Sequence, residues 1–184
     1  MRGSIWCVAV AAGAMLPLSA ARAATVSGSS TFTVTLAPGC DVQVASDLAF
    51  PTPTLTLTSG NVAFGANQDG TGIVQFVCSS GTSYSIFAPL SANAYNGQRR
   101  LKSSAGNYYV NYNISAVSTG GTAFPTASGS TSSPYSRTGT GATETVTVYG
   151  RAPAQTISDA TGGTSNVTPQ AGSYSDTIAI SVTF

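Results

Sequence analysis

The chain of 184 residues has no histidine, and only 7% of its residues are charged. An average globular protein carries about 25% charged residues. Without histidine, Ser–His–Asp and Cys–His nucleophilic sites are excluded, as are His-based zinc sites. Neither a Gly-x-Ser-x-Gly elbow, a P-loop nor a dinucleotide fingerprint occurs. The whole carboxylate stock is Asp41, Asp47, Asp69, Glu144, Asp159 and Asp176, set at turns or strand starts where capping roles account for it. An enzyme is therefore not expected, and neither is a cofactor or a metal. The two signs of charge nearly cancel, which is no footprint for nucleic acid or an anionic membrane. Arg99-Arg100 with Lys102 is the single basic cluster and reads as a solvated loop or turn. The one tryptophan is Trp6.

Residues 1–23 read as a secretory signal peptide: Arg2 supplies the positive start, Ile5 to Leu18 the apolar run, and Ala21-Arg22-Ala23 the small-x-small cleavage site. The run is too short to span a bilayer. Cleavage removes Cys7 and leaves Cys40 and Cys78 in a disulfide-permissive compartment. A bond between them would stabilise the fold by roughly 4 kcal/mol in the chain-entropy picture.

Runs of Thr, Val, Ile, Tyr and Phe alternate with Gly, Ser, Asn and Pro, and no segment has helical periodicity. That is the pattern of an all-β sandwich or barrel. Strands are expected at 31–36, 41–45, 54–58, 61–64, 71–78, 83–88, 108–117, 143–149 and 174–184. Pro51 and Pro53 confine their neighbourhood to an edge or a bend. Asp69-Gly70 and Gly81-Thr82 offer turn chemistry. Residues 118–142 read as a long loop with a short irregular strand around Phe124.

Both ends of the mature chain are amphipathic. In Tyr174–Phe184, Ile178, Ile180, Val182 and Phe184 alternate with Ala179, Ser181 and Thr183, the period of a half-buried strand. Being last, that strand needs a partner from elsewhere in the chain or from another molecule. At the other end, Phe32, Val34 and Leu36 share one face ahead of Pro38-Gly39. They form either an ordinary first strand or a strand offered to another copy.

These segments resemble spore coat protein U-like domains, the pilins of the archaic chaperone–usher pathway. The C-terminal run Gly172–Phe184 is similar to the closing signature of that family. Val148-Tyr149-Gly150-Arg151-Ala152-Pro153-Ala154-Gln155 resembles its penultimate-strand motif, Asn61–Gly65 its Phe-Gly segment, and Tyr108–Ile114 its central strand. Cys40 and Cys78 match its disulfide between the first two strands of the body. The Pro51–Pro53 stretch has no counterpart in the pattern.

The resemblance implies an incomplete immunoglobulin-like β-sandwich lacking its last strand, preceded by an N-terminal donor-strand extension. The implied organisation is signal peptide 1–23, donor extension 24–37 and sandwich domain 38–184. Phe32, Val34 and Leu36 would be the donor side chains, and Ile178, Ile180, Val182 and Phe184 the acceptor groove. The implied partners are a periplasmic pilus chaperone, an outer-membrane usher and neighbouring pilin subunits. The implied product is an extracellular pilus supporting surface adhesion and biofilm formation. Two alternatives stay open: a secreted spore or cyst coat protein of the same family, and a secreted carbohydrate-binding β-sandwich module using Tyr95, Tyr108, Tyr109 or Tyr135.

Overall fold

A computed structural model describes residues 33–58, 61–165, 167 and 171–184. The signal peptide and Phe32 lie outside the described residues. The chain divides into two units, 1–35 and 36–184, and the architecture below is that of the second.

Among the described residues every regular element is a strand: β1 Cys40–Ala49, β2 Leu55–Thr58, β3 Asn61–Phe64, β4 Gln68–Cys78, β5 Ser83–Phe87, β6 Arg99–Ser103, β7 Tyr109–Ser115, β8 Ser136–Thr138, β9 Thr143–Ala152, β10 Tyr174–Ser175 and β11 Ser181–Thr183. Six form one sheet in the order β1-β4-β9-β7-β6-β10, three form a second in the order β11-β5-β8, and β2-β3 is a separate hairpin. All pairings are antiparallel. The result is the expected all-β sandwich.

Alternation places the core. Along β4, Val74, Phe76 and Cys78 point inward while Ile73 and Val77 point out. β9 repeats the pattern with Val146 and Val148, and β7 with Val110, Tyr112 and Ile114. The second sheet contributes Tyr84 and Ile86. Phe76, Ile86, Val110 and Cys78 are the largest side chains sealed from solvent. Cys40 and Cys78 face one another at the ends of β1 and β4 and are joined by a disulfide.

Several expectations are corrected. Asp69-Gly70 is no turn but part of β4, paired with Arg151 and Gly150 of β9. The glycine is needed because β1 bulges over it: a Cβ on Gly70 would lie 2.1 Å from the Ala49 carbonyl oxygen. Gly70→Ala should therefore push the β1 end outward. Such overpacking costs about 1–3 kcal/mol, read as a fall of several degrees in the unfolding midpoint, whereas an unchanged midpoint would show that β1 yields freely there. Gly81, by contrast, does turn the chain between β4 and β5, with φ of 79°.

The 118–142 segment holds its strand at β8 rather than at Phe124. Phe124 instead donates its backbone N–H to Ile114, while the Pro125 carbonyl accepts from Ala88. Tyr135 pins this crossing: its hydroxyl donates to the Thr122 carbonyl at 2.7 Å, and its ring meets Phe124 edge-on at 5.0 Å. Residues 33–36, the described part of an expected strand, form no strand; Val34 and Leu36 are exposed.

Arg99 and Arg100 do not form a solvated turn. They lie in β6, 4% and 5% exposed. Burying a guanidinium requires that its donors find acceptors. Arg99 donates to the Pro89 and Ala88 carbonyls, and burial pulls its pKa down. Arg100 donates to the Asn93, Asp159 and Ala160 carbonyls and stacks on the Tyr95 and Tyr109 rings.

Candidate interaction groove

The C-terminal segment crosses from one sheet to the other. Tyr174 and Ser175 pair with Ser103 and Lys102 of β6, whereas Ser181, Val182 and Thr183 pair with Phe87, Ile86 and Ser85 of β5. Residues 176–180 between them are in no strand and have no ladder partner among the described residues. The single continuous strand expected over 174–184 is thus two short ones around an unpaired stretch. Ile178, Ile180 and Val182 turn toward the core, and Thr177 and Ala179 turn away.

Asp176 fixes the start of this stretch. Its Oδ2 accepts from the Tyr112 hydroxyl at 2.6 Å, and its Oδ1 accepts from Asn93 Nδ2 at 2.9 Å. Burial, reinforced by the Asp176 carboxylate, holds the Tyr112 phenol well above its ordinary pKa. That phenol therefore remains a donor through the neutral range.

Beside the unpaired stretch runs an open groove of about 1230 Å³. Its floor is the inner face of the six-stranded sheet, with Val74, Val110, Tyr112, Ile114 and Val148. One wall is Ile178 and Ile180; the other is the β1 end and its continuation, Val44 and Leu48 to Pro53. The β2-β3 hairpin adds Leu55, Leu57, Val62 and Phe64. Val44, Leu55 and Leu57 are 60%, 53% and 82% exposed. Apolar side chains gathered in one open groove mark a surface meant to be covered, unlike apolar residues scattered singly.

Of the expected acceptor residues, Ile178 and Ile180 line this groove. Val182 lies past it in β11, and Phe184 is 61% exposed beyond that strand. Of the expected donor residues, Phe32 is outside the described residues, and Val34 and Leu36 are 83% and 85% exposed. The β1 wall and the hairpin leucines were not among the expected site residues. Leu48 and Phe50, two apart with Ala49 between, carried a usable period-2 signal; Leu55 and Leu57 carried the same one. Among the described residues, no cluster of His, Cys, Asp or Glu could hold a metal ion. Of the four tyrosines considered for sugar stacking, Tyr109 and Tyr135 are buried.

The fold is an all-β sandwich of a six-stranded and a three-stranded sheet, with the β2-β3 hairpin beside an open apolar groove. The chain belongs to the spore coat protein U domain family, whose model matches residues 26–181. Among solved structures it is similar to the CsuC–CsuE chaperone–tip adhesion subunit pre-assembly complex from the archaic chaperone–usher Csu pili of Acinetobacter baumannii. That likeness has 21% identity and a TM-score of 0.47, and it covers 82% of this chain and 40% of that one. No curated protein matches the chain.

Proposed function

We propose that the protein is a structural subunit of an extracellular fibre, assembled by insertion of a strand from one subunit into the groove of the next. The observation that carries this reading is the open apolar groove with the unpaired segment 176–180 on its wall. Main-chain groups of that segment could form ladder bonds to an inserted strand, and the groove would take every second side chain. This is recognition by strand addition, the mode by which pilins are complemented by a donated strand. The donor would be the 24–37 extension, with Phe32, Val34 and Leu36 entering the groove and Ile178 and Ile180 receiving them. Insertion of one copy into the next is a contact that does not close on itself, so it propagates as a filament.

The partners are those that the family resemblance implies. In that family a periplasmic chaperone would cover the groove, whose uncovered state is an aggregation hazard, and an outer-membrane usher would exchange the chaperone for the next subunit. The fibre would then serve surface adhesion and biofilm formation, with residues 1–23 directing export. The role is mechanical rather than catalytic.

Phe32→Asp or Val34→Asp should abolish polymerisation while leaving the chaperone complex intact, because each changes a donor and not the groove. Electron microscopy of filaments, beside co-purification with the chaperone, reads both outcomes. Normal filaments from either variant would overturn the donor assignment.

A further inference from the structure

A second concavity, sharing no residue with the groove, lies around the far end of β6. It measures about 580 Å³ and is lined by Tyr95, Asn96, Gln98, Arg100, Asn111 and Gln155, with Thr156, Ser158, Thr161, Gly162 and Thr164. That volume suits a sugar or two. Its chemistry is amides, hydroxyls, one aromatic face and one guanidinium, and no carboxylate lines it.

We propose that this cleft binds an acidic saccharide, a glycan unit carrying a carboxylate. Arg100 is the decisive group. It is 5% exposed, its Nε donates to the Asn93 carbonyl, and its Nη1 donates to the Asp159 and Ala160 carbonyls. Its Nη2 has no partner among the described residues, while the residue lines the cleft. That Nη2 is not among the side-chain atoms sealed from solvent without a partner, so the guanidinium keeps an accessible donor edge while its other nitrogens are held by backbone carbonyls. A ligand carboxylate in the cleft would supply an acceptor for that edge as a charge-assisted bond.

The surroundings are fixed in advance. Arg100 sits between the Tyr95 and Tyr109 rings, 5.0 and 4.1 Å from their centroids. Tyr95 remains 40% exposed, leaving ring surface for the apolar face of a sugar. Gln155 is clamped on the backbone of Asn111 through both ends of its amide. The Asp159 carboxylate is turned into its own loop, where Oδ1 accepts from the Thr161 N–H and hydroxyl and from the Gly163 N–H, each at 2.8 Å. Asn96 and Asn111 also line the cleft and bring amides able to bond sugar hydroxyls. Nothing in this proposal rests on the strand-accepting reading of the groove.

The test titrates the full chain with trigalacturonic acid, with a neutral galactose trisaccharide and with acetate, by calorimetry. Saturable binding of the acidic trisaccharide, clearly tighter than the other two, is the expected result. Arg100→Gln should weaken it about 10- to 100-fold, the worth of a hydrogen bond to a charged group. Because Arg100 also holds the fold together, Asn96→Asp is the second variant. Asn96 is exposed and has φ of 48°, a conformation aspartate also tolerates. Asn96→Asp should weaken the acidic trisaccharide and leave the unfolding midpoint unchanged. Equal binding of the neutral sugar, equal binding of acetate, no binding of any probe, or indifference to Asn96→Asp would each overturn the proposal.

Discussion

The body from Pro38 onward should show a large, slowly acquired rise in its unfolding midpoint when mixed with excess peptide spanning residues 24–37. The groove that the peptide would fill already has a preformed floor, since Val74, Val110, Ile114 and Val148 belong to paired strands. Each of Phe32, Val34 and Leu36 brings about 1.5–3 kcal/mol on full burial. Only the residues that enter the groove need be ordered, and new ladder bonds along 176–180 offset the entropy of ordering them. Each 1 kcal/mol of net gain raises the midpoint of a domain this size by roughly 2–4 °C. Slowness is expected because the hairpin with Leu55 and Leu57 must rearrange around an entering strand, and association that requires rearrangement is slow. Phe32→Asp in the peptide should abolish the rise, since it would put a charge into an apolar groove. A body that is stable alone and indifferent to the peptide would mean that the groove is not an acceptor for this segment.

Periodicity made much of this fold legible. β3 was expected over Asn61–Phe64 and is found there, and β4, β5, β7 and β9 differ from expectation only at their ends. The failures have specific causes. β1 runs on to Ala49 because two bulges, between Val44 and Ser46 and between Ser46 and Ala49, break the alternation that marks a strand. Gly70 reads as a turn residue, yet its missing side chain serves the close approach of those bulges. β6 was missed because Arg99-Arg100 looks like surface. Nothing local in the sequence shows that carbonyls from residues 88–93 and 159–160 converge to receive the guanidinium donors. The C-terminal run shows the limit most clearly. Alternation reports which face of a segment is buried, not which strand lies beside it. So Ile178 and Ile180 were assigned to the core side from sequence, but the crossing between sheets that leaves 176–180 unpaired was not visible.

Replacing both cysteines, Cys40→Ala with Cys78→Ala, should lower stability by roughly 4 kcal/mol, because the bond closes a loop of 38 residues. For a domain of this size that is a midpoint fall on the order of 10 °C. Alanine is the right replacement, since Cys78 is fully buried and serine would add an unpaired hydroxyl. The loss should also reach the groove. Among the described residues β1 is the edge strand of the six-stranded sheet and pairs only with β4. Its far end is loosened by the two bulges, so the disulfide secures the regular end of the strand that forms one groove wall. Without it, β1 can fray, and the 24–37 peptide should bind the body more weakly as well as stabilise it less. Reduction of the native body should reproduce both effects, which separates the bond from the side-chain change. A stability loss with unchanged peptide affinity would show that β4 and the bulged segment hold the wall unaided.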